Sequence, residues 1–306
     1  MKTIAILVPY FGKLPNYFRF WLESAAYNKD ISFILITDSV ITDKIPKNIV
    51  IKKMTFEEFK DKVQSKYNFN INLNTPYKMS DYKPAYGDIF SDLLTGYDYW
   101  GYCDIDMIFG DIRKFVTDEK LANNTRLFQF GHFSIFQNSA EINNSYKLPL
   151  KNKLMTYKKA FTTDIIVGFD EFFGINLIFE EYGLKVEPST DLADIYFTKY
   201  AFYYESKFDR FKAVFLRKNG RMFAILSNGQ IEEKLYIHLQ KRKMDVKTKN
   251  VQKYYVVPNA FIDYSAIEKS KLNIYYKDKF YSSWYIRKFK AIPKNLKRKI
   301  FLKRNL

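Results

Sequence analysis

One cysteine, Cys103, stands in 306 residues, so no disulfide forms within the chain and a reducing compartment is expected. No apolar run approaches the roughly 20 residues that a membrane-spanning helix requires. The apolar start, Thr3 to Pro9, is too short for a signal-peptide core with a cleavage site and reads as a first buried strand. Histidine is scarce, with two in the chain, His132 and His238. No internal repeat, Gly/Ser linker or low-complexity segment interrupts the first 278 residues. Acid is missing from the end: Lys279 to Leu306 holds ten Lys or Arg and no Asp or Glu. Of the net charge of +17, the rest of the chain therefore carries +7, an ordinary value.

What is present suits a folded domain with a sizeable core, at 47% hydrophobic and 27% charged residues. Aromatics are abundant, with 25 Tyr and 29 Phe, which reflects either biased composition or faces that stack on sugar rings and bases. Strand and helix signals alternate in the first half. Ile4–Tyr10, Ile31–Thr37 and Ile49–Met54 read as strands, and Leu14–Tyr27 as a helix. Thr55-Phe56-Glu57-Glu58 has capping-box spacing and opens a helix to about Tyr67. A further helix is predicted over Pro84–Leu94, ahead of a strand over Trp100–Asp106. Such alternation predicts an α/β layer fold with a largely parallel sheet, whose ligands gather at the carboxyl ends of strands. Later, Leu127–Phe136 reads as one strand and Asp170–Tyr182 as a helix. Phe211–Lys218 and Arg221–Ser227 read as a hairpin joined by Asn219-Gly220, followed by Ile231–Leu239. The expected organisation is one α/β domain over 1–245, an antiparallel extension over 246–278 and a basic tail over 279–306.

The segment Tyr99 to Asp111 carries the sharpest chemical signal. An apolar run ends in Asp104 and Asp106, and Gly110 closes it. At a strand's mouth the pleat would send both carboxylates to one side. Two carboxylates that close repel unless a cation lies between them, and an oxygen-only pair suits Mg²⁺ or Mn²⁺. Such an ion commonly holds a diphosphate. An isolated Asp-x-Asp is equally a cap or a solvated turn. Haloacid-dehalogenase-like phosphatases also place the motif after an apolar strand, but on the first strand and with Thr or Val two residues beyond. Here the pair follows the fourth predicted strand, and Ile108 holds that position. Cys103 beside two acids is a poor nucleophile, because carboxylate neighbours raise a thiol's pKa.

Lys78-Met79-Ser80-Asp81-Tyr82-Lys83-Pro84-Ala85-Tyr86-Gly87, with Tyr97 to Asp106 after it, resembles the core of bacterial GT-A-type glycosyltransferases of polysaccharide and lipopolysaccharide synthesis. More remotely it is similar to the DXD sugar-binding region of retaining mannosyl- and clostridial-toxin transferases. Those carry Ser-Asp-x-x-Arg before the Asp-x-Asp, where this chain has Lys83 at another offset. The resemblance implies a GT-A-like fold and a metal-dependent transfer of a hexose from a nucleotide diphosphate sugar, with a UDP-sugar favoured and retention of configuration. The acceptor would be a glycan or lipid-linked sugar of surface polysaccharide synthesis.

Residue by residue, the resemblance puts Pro9, Tyr10 and Phe11 beside the nucleotide, with Tyr10 or Phe11 stacking on a base. Asp38 contacts the base or ribose, or is a turn former. Asp81 hydrogen-bonds the donor sugar or orients Lys83, and Lys83 meets a diphosphate oxygen or is an ordinary lysine at a helix start. Asp104 contacts ribose or metal, Asp106 binds the metal, and His238 completes the ion's shell or packs as a core histidine. His132 is an acceptor contact or a buried structural group. Asp170 and Glu171 are the catalytic candidates, or complement a helix dipole.

In the tail, Phe289, Ile292, Leu296 and Ile300 recur at helical spacing among lysines and arginines, behind Trp284 and Tyr285. Pro293 would end one helix and begin another. A basic amphipathic segment of this kind reads as a binder of an anionic membrane surface, or as a solvated tail. Nucleic acid is not expected, since no recognisable binding module accompanies the charge. The expected place is the cytoplasm, peripheral on the inner face of the plasma membrane. The rival reading is a membrane- or nucleic-acid-binding protein without catalysis.

Overall fold

In the computed structural model, which describes residues 1–151, 155–188, 191–205 and 210–305, the strand Tyr99–Cys103 is buried throughout. Trp100 and Tyr102 enter one hydrophobic layer, while Tyr99 and Cys103 enter the other, as the two-residue pleat requires. The strand lies in a seven-stranded sheet ordered 49–53, 31–37, 4–9, 99–103, 133–137, 126–130 and 186–187. Its first four strands run parallel. Helix Phe18–Tyr27 covers one face, and the helices Phe56–Gln64 and Ile175–Glu181 cover the other. The chain is thus an α/β layer structure with a mixed, mainly parallel sheet flanked by helices.

The second half adds a mainly antiparallel sheet ordered 231–234, 221–226, 210–218, 253–257, 260–263 and 245–246, in which the last two run parallel and 202–205 also pairs with 210–218. Asn219 and Gly220 take φ of 52° and 76° at its hairpin, the two left-handed positions of a type I′ turn. This sheet draws strands from both sides of residue 245. A third, small sheet joins Met107–Phe109, Tyr236–His238 and Ala193–Asp194.

Several elements differ from their sequence reading, each for a local reason. The capping box of Thr55 and Glu58 forms, but the helix ends at Gln64. In place of a helix over Pro84–Leu94 the chain runs as a 3₁₀ segment over Pro76–Ala85 and a single α-turn over Tyr86–Ile89. Pro84, read as opening the helix, instead lies inside the 3₁₀ segment, and the α-turn begins two residues after it. Leu127–Phe136 is a hairpin, Arg126–Phe130 and Phe133–Gln137, with Gly131-His132 as its loop. Aromatic and aliphatic residues on both sides of Gly131-His132 masked that turn. Ile231–Leu239 is likewise two strands, because Leu235 leaves the large sheet and bonds Asp191 and Gly110. The C-terminal helix runs unbroken over Ser282–Asn305 with Pro293 inside it.

Candidate functional site

The strand before the aspartates stops at Cys103, so Asp104 and Asp106 meet through a turn and not through the pleat. The Asp104 N–H donates to His132 O (3.0 Å), tying this turn to the neighbouring hairpin loop. The small sheet then sets the geometry. Its register places His238 beside Met107 on one side and Asp194 on the other. His238 Nε2 lies 3.5 Å from Asp106 Oδ1, and its Nδ1 lies 2.8 Å from Asp194 Oδ1. Asp106 is 4% exposed. Ligand atoms of Asp104, Asp106 and His238 all lie within 4.8 Å of one another.

The electrostatics follow from this packing. Burial alone would depress His238, but the Asp106 and Asp194 carboxylates outweigh it and push the imidazole up to about 10. Burial likewise opposes ionisation of Asp106, yet His238 and the Lys241 N–H hold it well below the usual carboxylate range. Gln240 and Lys241 reach that hydrogen bond through successive left-handed backbones, φ 53° and 56°. A residue held in that region stores strain, which the surrounding contacts sustain. Asp194 was not legible in advance, because it sits in a two-residue strand with no motif around it.

Lys83 reaches the cluster but is already engaged. Its Nζ donates to Asp104 Oδ1 and to Gly131 O, both at 2.6 Å. Burial disfavours its charge, and the Asp104 and Asp170 carboxylates overcome that and keep the ammonium protonated. His132, expected at the acceptor, is instead 6% exposed. It shares a hydrogen bond with Tyr236 Oη (2.9 Å) and stacks on His238 at 4.1 Å. Burial and the neighbouring His238 cation push it down to about 3, so it is a neutral spacer.

Asp170 and Glu171 do not begin a helix. They lie in a turn closed by the Glu171 and Phe173 amides on Gly168 O, and the helix starts at Ile175. A side chain at Gly174 would meet Phe169 O at 2.2 Å, so the chain turns there with glycine alone. The Glu171 carboxylate accepts the Gly131 N–H (2.5 Å). A Cβ on Gly131 would fall 2.4 Å from Asp170 Oδ2, so glycine at that position lets the acid approach. Burial first, with Asp81, Glu171 and Asp104 adding repulsion against the pull of Lys83, pushes Asp170 up to about 8. Glu171 is also raised, chiefly by burial.

Two expected donor contacts have other work. Asp81 is fully buried, bonded to Lys78 Nζ (2.7 Å) and accepting the Val167, Gly168 and Phe169 amides. It holds the turn that carries Asp170, and both its oxygens are taken. Phe11 packs edge-on against Phe56 and Phe59 in the core, which removes it as a stacking face for a base. Pro9 and Tyr10 are half-buried at the end of the first strand, and the Tyr10 hydroxyl donates to Lys13 O. Asp38 is exposed and accepts the Gly12 N–H (3.0 Å), joining the loops after the first two strands. Lys241 is exposed at the rim, its Nζ 3.8 Å from the Tyr77 ring centre.

A family model described as "Family of unknown function (DUF6625)" matches residues 6–265. No curated protein sequence matches the chain. Among solved structures, the galactosyltransferase LgtC with donor and acceptor sugar analogs is similar over 62% of this chain and 75% of its own. Identity there is 10% and the TM-score 0.35. The glycosyltransferase GlyE of Streptococcus pneumoniae TIGR4 is similar over 62% of this chain and 46% of its own, at 10% identity and a TM-score of 0.33. At this distance the likeness does not extend to substrates or site residues.

Two substitutions separate support from chemistry. Asp81→Ala leaves the buried Lys78 ammonium without its carboxylate partner, on the Ala160 and Ile165 carbonyls, and urea denaturation should show a loss of about 3–5 kcal/mol. Asp170 has a folded pKa raised from 3.8 to about 8. The stability of its protonated form is complete below the unfolded value and is lost as pH rises toward the folded one. Asp170→Asn should therefore match the parent near pH 4 and melt higher by about 2 °C or more near pH 9. Equal melting temperatures at both pH values would contradict that assignment.

Proposed function

We propose that this chain, which belongs to the family of unknown function (DUF6625), is a metal-dependent glycosyltransferase acting on a nucleotide diphosphate sugar. The observation that carries the reading is the convergence of Asp104, Asp106 and His238 at the carboxyl end of a parallel sheet, beside a buried acid with a raised pKa. These three residues fit a divalent ion. They offer two hard oxygens and one imidazole, and Asp194 orients the ring from behind, as outer partners of metal-bound histidines do. The nitrogen ligand favours Mn²⁺ over Mg²⁺. When bound, the ion offsets charge on a leaving diphosphate.

The chain's own groups divide the remaining work. Lys83 positions Asp104 and Gly131 and does not reach out to phosphate. The exposed Lys241 ammonium is the nearby cation that a diphosphate would meet as a point charge. Pro9, Tyr10 and Asp38 border the nucleotide side. Asp170 keeps its proton near neutral pH, so it donates a hydrogen bond to a sugar hydroxyl and becomes a base only above about 8. Glu171 stays fixed on Gly131 beside it. A UDP-hexose, a retaining course and a glycan or lipid-linked acceptor of bacterial surface polysaccharide are the finer parts of this reading, and they rest on the resemblance of the Asp81–Asp106 region.

The place proposed is the cytoplasmic face of the plasma membrane. Among the described residues no helix is long and apolar enough to cross a membrane. The C-terminal helix instead exposes Phe289 (69%), Ile292 (50%), Leu296 (59%) and Ile300 (47%) along one side, between lysines. Such a face fits an anionic lipid surface.

A thermal-shift panel of UDP-, GDP- and CMP-sugars with and without Mn²⁺ tests the enzyme. One donor should stabilise the protein only with metal, and Asp106→Asn and His238→Ala should each remove that shift. Chelator-resistant turnover by Asp106→Asn would end the metal assignment. For the membrane, sedimentation with phosphatidylserine vesicles should pull down the full chain, and Phe289→Glu with Leu296→Glu should release it. Equal binding to neutral vesicles, or none, would remove the lipid partner.

A further inference from the structure

The C-terminal helix touches the site with its other face. At about 100° per residue, Arg298 and Arg287 lie roughly opposite Phe289. Arg298 Nη2 donates to Val167 O (3.1 Å), and Arg287 Nη1 donates to Gln240 O (3.2 Å). Eleven residues of helix separate the two arginines, a span of about 16 Å. At one end is the turn that carries Asp170; at the other is the loop whose Lys241 amide holds Asp106. Phe301 and Leu302 pack on the main core, so this is a seated element and not a free tail.

The Arg298 contact is built from both sides. Gly168 takes φ +82°, and a Cβ there would lie 3.1 Å from Arg298 Nη2. The guanidinium lies 5.8 Å from the Phe173 ring centre. From below, Asp81 accepts the amides of Val167, Gly168 and Phe169. The turn is therefore gripped by its N–H groups from one direction and by its Val167 carbonyl from the other, and Asp170 follows directly.

We propose that Arg298 is a positioning residue: it fixes the Val167–Phe169 turn from the C-terminal helix and so sets where the Asp170 carboxyl sits. The helix then completes the site, in addition to any part it plays at a lipid surface. An anchor alone would leave chemistry in solution unchanged when Arg298 is altered.

Only the kinetic arm of the test rests on the glycosyl-transfer reading. In the full-length protein, Arg298→Ala should lower kcat for Mn²⁺-dependent UDP-hexose hydrolysis by about tenfold or more, with KM within about twofold. Arg298→Lys, which restores a donor, should recover most of that loss. Lys297→Ala, one residue away and ion-paired at the surface with Asp164, should leave kcat unchanged. Independently, hydrogen exchange at the Val167, Gly168 and Phe169 amides should quicken about tenfold in Arg298→Ala while the melting temperature holds. Parent-like kcat and parent-like exchange would overturn the proposal. If the unaltered protein hydrolyses no UDP-hexose, the transfer reading fails by itself, and the exchange measurement still decides whether Arg298 holds the turn.

Discussion

Repulsion among carboxylates is the constraint on which this site depends. Asp104, Asp106, Asp170, Glu171 and Asp194 converge where the sheet's strands end, and such acids cannot all ionise there without compensation. The fold answers in three ways. His238, held between Asp106 and Asp194, carries a proton that a free imidazole would have lost at neutral pH. Lys83 extends its ammonium to Asp104. For Asp170, burial and the neighbouring acids outweigh the pull of Lys83, and it keeps its proton. A divalent ion among Asp104, Asp106 and His238 would take over the compensation that the imidazolium supplies, so the charge arrangement is one a cation can exchange into.

The order of the sheet delivers these groups. A parallel 31–37, 4–9, 99–103 core aims its strand ends at one edge, which brings Asp38, Tyr10 and Asp104 to the same side. The small sheet does the finer work, since its register against Met107–Phe109 alone decides that His238 faces Asp106. A slip of one residue would turn that imidazole to the other face.

Much of this was readable from local pattern. Apolar runs bounded by turn formers marked the parallel strands, and the Thr55–Glu58 and Asn219-Gly220 signals named their own geometry. The Asp-x-Asp pair stood out from its apolar run, and His238 is one of two histidines in the chain; the structure brings ligand atoms of all three residues within 4.8 Å of one another. Errors arose where tertiary contacts decide. Gly131-His132 turns a hairpin within what reads as one strand, and Leu235 divides another by hydrogen bonds to distant Asp191 and Gly110. Asp81 resembled a sugar contact, but only the fold reveals the three amides and the buried Lys78 that consume it. Asp194 had no neighbouring signal at all. Residues whose role is set by a long-range partner are the ones that single-sequence periodicity misses.

The tail inverts the usual logic of an amphipathic helix. A surface helix ordinarily buries its apolar stripe and offers charge to water. Here the half-buried Arg298 and the exposed Arg287 donate to backbone carbonyls of the domain, while Phe289, Ile292, Leu296 and Ile300 stand exposed. Exposed apolar area costs about 25 cal/mol per Å² relative to burial, so this orientation must be held by something stronger than the helix's own preference. The seat of Phe301 and Leu302 in the core and the two arginine contacts supply that hold. An outward stripe fixed in this way shares one rigid element with the turn that bears Asp170. A lipid surface covering the stripe would therefore bear on the same helix that grips the turn.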